Sequence, residues 1–170
     1  MIQPVAIAAL LLAQGAAPAA PAAAPPCLQR EGVRDAFMVL APPVIEAVAN
    51  KCKAHLPASA FLSARGAALV ARMKADAAGR APSAAGAIRA VAGDKVPEVS
   101  DPEALVTLGG VFGGLAVAEG VKPESCGEMS NLLESLAPLP TENIGRAIVS
   151  VLILSKFGEK DSKPSICPNG

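Results

Sequence analysis

Residues 100–120, with the sequence SDPEALVTLGGVFGGLAVAEG, indicate the fold class of the chain. The stretch opens with Ser-Asp-Pro-Glu, which places a capping side chain, an early proline and a carboxylate where the start of a helix favours each of them. The run 104–118 is uncharged, but its 15 residues are fewer than the ~20 that span a bilayer. We therefore predict a helix that begins near Asp101, ends near Glu119 and is buried in a protein core, with no transmembrane span in the mature chain.

Four glycines lie inside this predicted helix: Gly109, Gly110, Gly113 and Gly114. Each costs about 1 kcal/mol relative to alanine in a helix interior, so some contact should offset the cost. Gly109 and Gly113 are four residues apart, and so are Gly110 and Gly114. Each pair leaves a smooth strip on the helix that allows a second helix to approach closely. Two interpretations stay open, because the same glycines would also suit the lining of a cavity for a small apolar ligand.

The sequence on both sides of this helix also follows a helical pattern. Proline and glycine separate further predicted helices at about 57–78, 83–92, 125–136 and 141–158, the last one capped by Thr141. No alternation of Val, Ile or Thr is long enough for a strand. We predict an all-α fold, a single bundle-like domain of six to seven helices over residues 27–170. Ala147–Leu154 is apolar on nearly every side, so we expect the last helix to occupy the centre.

The first helical segment, from about Leu28 to Lys53, contains two adjacent prolines, Pro42 and Pro43. Paired prolines normally end a helix and can open the next one, which would fold the segment into a hairpin. The apolar spacing nevertheless continues across the prolines, as it would in a single kinked helix. The sequence leaves both alternatives open.

Four cysteines, Cys27, Cys52, Cys126 and Cys167, form no Cys-x-x-Cys pair, and an even number in an exported chain favours two disulfides. In the hairpin alternative, Cys27 meets Cys52, and the helices around 138–140 bring Cys126 to Cys167. In the kinked-helix alternative, Cys27 and Cys52 lie roughly 37 Å apart, too far for a bond that needs Cα atoms within ~7 Å. On the hairpin alternative, we predict the pairing of Cys27 with Cys52 and of Cys126 with Cys167.

The first 26 residues contain no charged side chain. Val5–Ala13 is a short apolar run typical of a signal peptide, and the small residues Ala13 and Gly15 suit cleavage by a signal peptidase. Residues 1–15 are therefore predicted to be a signal peptide, and residues 16–26, which are all alanine or proline, an extended linker. Together with the paired cysteines, these features predict a periplasmic or secreted protein.

Composition and motifs argue against several function classes. The chain has 15 basic and 15 acidic residues, 2% aromatic residues and no Trp or Tyr, which argues against a nucleic-acid partner. His55 is the only histidine, and the sequence contains no serine-nucleophile motif, phosphate-binding loop or multi-histidine metal motif. We expect no cofactor, no metal and no enzymatic activity.

Several short motifs follow one another along the chain in a characteristic order. They are an Ala/Leu-rich leader, an Ala/Pro linker, Cys27-Leu28, Leu56-Pro57-Ala58, Arg65-Gly66-Ala67, Cys126, Leu136-Ala137-Pro138-Leu139-Pro140 and Ile166-Cys167. In this order the chain resembles exported four-cysteine helical proteins of sphingomonad-type Alphaproteobacteria. The resemblance covers most of the chain and implies export and paired cysteines, with no activity to carry over.

The sequence therefore favours an exported, non-enzymatic binding or interaction module with an unidentified protein partner. A periplasmic carrier of a small apolar ligand is the alternative, favoured by the glycine-rich helix and by an interior rich in alanine and poor in aromatic residues. A hydrolase that uses His55 or paired carboxylates is a distant third alternative.

Overall fold

The computed structural model describes residues 27–93, 99–155 and 164–167. Within these ranges the chain forms one isolated β-bridge, between Leu28 and Ile166, and seven α-helices. The helices are α1 (Arg30–Cys52), α2 (Phe61–Ala64), α3 (Gly66–Asp76), α4 (Ala81–Ala92), α5 (Pro102–Gly120), α6 (Cys126–Leu136) and α7 (Thr141–Leu154). The prediction of an all-α fold with six to seven helices and two disulfides is confirmed. The predicted signal peptide (1–15) and linker (16–26) lie outside the described residues.

Helix α1 lies at the centre of the bundle. It contacts α3, α4, α5 and α7 along its 23 residues, and its side chains Met38, Val48 and Cys52 are almost completely buried. The expectation that α7 would be central is wrong, because Val151 and Leu154 of α7 are exposed. Helix α7 covers one side of α1, so its own outer side stays at the surface.

The two adjacent prolines lie inside α1 and decide between the two sequence alternatives. Helix α1 continues from Arg30 to Cys52 without a break, so the segment is one helix and not a hairpin. Pro42 is fully buried, and Pro43 packs against Gly110 and Gly114 of α5. This packing offsets the loss of the backbone hydrogen bonds that proline cannot donate.

The disulfides join Cys27 to Cys167 and Cys52 to Cys126, with Cα–Cα distances of 5.1 and 5.5 Å. The predicted pairing of Cys27 with Cys52 and of Cys126 with Cys167 is therefore wrong. The continuous helix α1 is the physical reason, because it spans roughly 33 Å from Arg30 to Cys52 at ~1.5 Å per residue and so keeps Cys27 far from Cys52. Two disulfides are consistent with an oxidising compartment.

The first disulfide fastens the two ends of the described chain to each other. Beside it, the Leu28 N–H donates to the Ser165 carbonyl at 2.8 Å, and the Cys167 N–H donates to the Leu28 carbonyl at 2.9 Å. Leu28 and Ile166 are buried together with Ala87 of α4. The two ends of the described chain are thus held against the bundle by a disulfide, a short backbone pairing and an apolar contact.

The second disulfide lies in the largest core cluster and attaches α6 to the bundle. Next to this disulfide, the Ser130 hydroxyl of α6 accepts a hydrogen bond from the Leu62 N–H of α2 at 3.2 Å. The single helix predicted over 57–78 is instead α2 and α3, which divide at Arg65. The guanidinium of Arg65 lies over the Phe61 ring and pairs with Glu134 of α6, so this residue joins the two short helices to α6.

Helix α5 begins as predicted, because the Asp101 side chain accepts hydrogen bonds from two backbone N–H groups of the first turn at 3.2 Å. Its predicted burial is wrong for most of the run 104–118, since only Leu105, Gly110 and Gly114 are buried. One side of α5 packs against α1 and α4. The opposite side forms part of the protein surface.

Candidate interaction surface

The four predicted glycines divide into three that contact α1 and one that does not. A Cβ atom on Gly110 would lie 2.7 Å from Pro43 Cγ, and one on Gly114 would lie 3.1 Å from the Pro43 carbonyl oxygen. A Cβ atom on Gly109 would meet a leucine side chain of α1 at 3.4 Å. Beyond its own helix, nothing lies within 4 Å of such an atom on Gly113. For Gly109, Gly110 and Gly114, these contacts favour helix packing over cavity lining.

The side of α5 that faces away from α1 carries a continuous row of large apolar residues. They follow the i, i+3, i+4, i+7 spacing of one helix face and are exposed at 37%, 50%, 66% and 55%, in the order Leu108, Val111, Phe112 and Leu115. We call these four residues the α5 stripe. Large apolar side chains grouped at a surface mark interaction sites, whereas scattered ones are ordinary.

By length and composition alone, α5 is long and apolar enough to span a membrane. It has 19 residues, and an 18-residue stretch of it has a mean hydropathy of 1.2 and is 17% buried within the protein. In the described part of the chain, it is the one helix that meets these criteria. Length and composition do not distinguish a membrane span from a surface helix with one apolar face.

A cluster of charged side chains, in which Asp35 is buried (7% exposed), joins α1 and α7 to Arg80 at the start of α4. The Arg80 guanidinium donates to the Asp35 carboxylate at 2.7 Å, and the Arg34 guanidinium donates to it at 3.2 Å. Glu142 of α7 accepts from Arg34 at 3.3 Å and from Arg146 at 3.0 Å. The cluster thus alternates opposite charges across the junction of three helices.

The ionisation of Asp35 fits a structural role. Burial alone raises the pKa of Asp35, but hydrogen bonds from Arg80, Ser83 and Arg34 outweigh it and hold the pKa below its ordinary value of 3.8. A general acid or base works best with a pKa near the operating pH. Since Asp35 stays ionised and paired at neutral pH, we assign it to the stability of the helix junction.

His55, the only histidine, is exposed just beyond the end of α1. Its backbone N–H donates to the Cys52 carbonyl at 2.8 Å. Cys52 and Cys126 are joined in a disulfide, so neither offers a thiolate to a zinc ion beside His55. Across residues 27–93, 99–155 and 164–167, no group of three or more His, Cys, Asp or Glu side chains is placed to hold a metal ion.

The described residues line several open clefts, among them three with volumes of about 450, 260 and 460 Å³. The first lies between α2, α3 and α6 and is flanked by Arg65 and Arg72. Arg65 lies 5.0 Å from the centre of the Phe61 ring and pairs with Glu134, while Arg72 donates to the Ala137 carbonyl at 2.7 Å. Both guanidinium groups are therefore engaged within the protein, which makes this cleft a poor anion site.

Sequence reasoning missed the α5 stripe because it treated an uncharged helix as a buried one. The available signal was the separation of small and large residues, since Gly110 and Gly114 fall on one face and Phe112 and Leu115 on another. A helix that packs closely through its glycine face must turn its large side chains elsewhere.

No protein-family model matches the chain, and neither curated proteins nor solved structures show significant similarity to it.

Proposed function

We propose that this protein is an exported, non-enzymatic interaction module that binds another protein through the α5 stripe. The observation that carries the proposal is the exposure of four large apolar side chains on one helix face. Helices with anchors at i, i+3, i+4 and i+7 are a recurring mode of protein recognition, in which the apolar face packs against an apolar surface of the partner.

The α5 stripe is held in position before any partner binds. On its inner side, α5 contacts α1 through Gly110 and Gly114, and its first turn is capped by Asp101. Arg89 of α4 donates to the Val99 carbonyl at 2.8 Å, just before α5 begins. A helix that is already ordered loses little conformational entropy on binding, which supports its use as a recognition element.

The carrier and hydrolase alternatives have less support. A carrier would need the glycines of α5 to border a cavity, whereas Gly110 and Gly114 contact Pro43 of α1. A hydrolase would need His55 or paired carboxylates poised for proton transfer, whereas His55 is exposed beyond the end of α1 and the buried carboxylate, Asp35, is engaged with Arg80. The carrier alternative nevertheless makes a distinct prediction that a simple experiment can test.

Photo-crosslinking at single positions tests the interaction surface. A photoreactive phenylalanine analogue at position 112 should crosslink to protein in the exporting cell, because Phe112 is exposed in the middle of the stripe. The same analogue in place of Leu132, which is exposed on α6, is the matched control and should give a much weaker product. Equal labelling at both positions, or no product at position 112, would contradict the proposal.

Thermal melts with and without a monomeric fatty acid test the carrier alternative. A ligand that binds only the folded state must raise the melting temperature. We expect no ligand-dependent change in the Tm of the wild-type protein. A reproducible increase that depends on ligand concentration would favour the carrier.

The mass of the chain recovered outside the cytoplasm tests export. Cleavage after the predicted signal peptide (1–15), or two residues later, gives a mature chain that begins at Ala16 or Pro18. We expect one of these species to dominate the intact-mass spectrum. A dominant species that retains Met1 would contradict the export part of the proposal.

A further inference from the structure

We infer that the partner of the α5 stripe is a second copy of this chain, bound with the two α5 helices antiparallel across a two-fold axis. The inference rests on the proposed function and names its partner. It is carried by a near-palindrome in the exposed helix: residues 108–115 read LGGVFGGL, which is the same in both directions except for the exchange of Val111 and Phe112 at its centre.

An antiparallel two-fold arrangement places each residue opposite the one at equal distance from the midpoint. Leu108 then faces Leu115 of the second copy, and Val111 faces Phe112 of the second copy. All four members of the stripe therefore meet apolar side chains, as a self-complementary patch must in a two-fold interface. Gly110 contacts α1 on the inner side of the helix, so the stripe stays available to the second copy.

The charged groups at the two ends of α5 fit the same arrangement. Asp101 is exposed at the start of the helix, and Lys122 is exposed two residues beyond its end. In the antiparallel pair, Asp101 of one copy lies at the end that holds Lys122 of the other. Glu119 then lies at the end that holds Asp101 and Glu103 of the other copy, so Lys122 must offset these like charges. A parallel pair would instead place identical charges beside each other.

A membrane surface fits the stripe less well. Helices that lie on anionic membranes carry basic residues on their polar face, which attract the lipid headgroups. The run 104–118 has no basic residue, and Asp101 and Glu119 flank the stripe at its two ends. Repulsion by anionic headgroups would oppose insertion of the stripe.

The size of the stripe sets the expected strength of the dimer. From their exposed fractions, its four side chains offer roughly 400 Å² of apolar surface, about half of the ~800 Å² that each partner contributes to a standard stable interface. Residues that surround the α5 stripe must contribute the remaining area. We therefore expect a reversible dimer with a Kd in the micromolar range. At protein concentrations below this Kd, the chain should be a folded monomer.

Sedimentation equilibrium of the full chain and two charge variants measures this dimer. Leu115→Glu places a carboxylate opposite an apolar side chain at two points of the interface and should raise the dimer Kd by about tenfold or more. Leu132→Glu makes the same change at a leucine of similar exposure, 58% against 55%, and should change the Kd by less than about twofold. A wild-type protein that stays monomeric up to about 0.5 mM would overturn the inference. Circular dichroism verifies that both variants are folded.

Engineered cysteines test the antiparallel orientation without relying on a destabilising change. A mixture of Leu108→Cys and Leu115→Cys chains should form a covalent dimer under mild oxidation, because these positions face each other across the axis. Neither variant alone should crosslink, since identical positions are offset by about 10 Å along the helices and a disulfide needs Cα atoms within ~7 Å. Self-crosslinking of Leu108→Cys without the mixed product would indicate a parallel pair and overturn the inference.

The photo-crosslink at position 112 distinguishes failure of the dimer from failure of the proposed function. A product with the mass of two chains supports the dimer. A product with a different protein overturns the dimer and leaves the interaction module standing. Flotation of the wild-type protein, but not of Leu115→Glu, with phosphatidylglycerol vesicles would overturn both.

Discussion

Asp35 is the buried carboxylate at which α1, α4 and α7 meet, and its ionisation should be visible in the pH dependence of stability. Because folding lowers its pKa, the ionised form stabilises the folded state at every pH above the ordinary value of 3.8. That contribution is lost as the pH falls through the lowered pKa. We expect the free energy of unfolding of the wild-type protein to decrease steeply below about pH 4.

Asp35→Asn should remove this acid-sensitive contribution. At pH 7 the variant should lose on the order of 2 kcal/mol of stability, because Arg80 keeps its charge but loses its ionised partner. The difference from the wild-type protein should shrink below about pH 4, where Asp35 itself becomes protonated. Denaturant titrations at several pH values measure this difference in the free energy of unfolding. Asp76→Asn, at an exposed position at the end of α3, is the control. A difference that is independent of pH would contradict the assignment.

Thr141 was predicted to cap α7, but it is the first residue inside that helix, after Pro140. Its hydroxyl is buried and has no hydrogen-bond partner among the described residues. Thr141→Val should therefore raise the free energy of unfolding by about 1 kcal/mol, since it replaces an unpaired polar group with a methyl group. Thr107→Val is the control, because the exposed Thr107 hydroxyl donates to the Glu103 carbonyl at 2.8 Å. Destabilisation by Thr141→Val would indicate that the hydroxyl is hydrogen-bonded.

Gly110 lies in the contact between α1 and α5, whereas Gly113 does not touch α1. Gly110→Ala should lower the free energy of unfolding by roughly 1–3 kcal/mol, because its Cβ would lie 2.7 Å from the rigid ring of Pro43. Gly113→Ala should raise it by about 0.5–1 kcal/mol, since the new methyl meets open space and alanine favours the helix. Urea titrations of both variants give the comparison. Equal effects of the two substitutions would show that the glycines act through helix propensity alone.

Elements could be predicted from the sequence where local signals define them. The Asp101 cap begins α5, and α4 (Ala81–Ala92) and α6 (Cys126–Leu136) lie within a few residues of the predicted spans. The continuity of α1 could not be predicted, because Pro43 packs against Gly110 and Gly114 of a helix that is distant in sequence. That partner is a tertiary contact, which hydrophobic spacing along one segment does not encode.

At the scale of the whole molecule, two of the wrong predictions have one cause. The disulfide pairing depends on which helices α1 brings together, and the exposure of Phe112 depends on which face of α5 meets α1. Both follow from the central position of α1, whereas the apolar run 147–154 pointed to α7. Helix content and the formation of two disulfides follow from properties of segments and of composition, so they could be predicted without that knowledge.

The two disulfides should contribute to stability in different ways. They join residues 140 and 74 positions apart, for which chain entropy gives roughly 4–5 kcal/mol each as an upper range. The Cys52–Cys126 bond lies in the largest core cluster, so Cys52→Ala with Cys126→Ala should lower the stability of the whole bundle. The Cys27–Cys167 bond holds only the paired ends of the described chain. Cys27→Ala with Cys167→Ala should therefore release Leu28 and leave α1–α3 folded.

Hydrogen exchange resolves this difference amide by amide. Without the Cys27–Cys167 bond, the N–H groups of Leu28 and Cys167 should exchange rapidly, because their backbone pairing is peripheral and no longer fastened, while the amides of α1 and α3 stay protected. Without the Cys52–Cys126 bond, protection should fall throughout the core, since the slowest amides exchange only by global unfolding. Loss of protection across α1 in the Cys27 and Cys167 variant would mean that closure of the chain ends, and not the core around Cys52, limits the stability of the bundle.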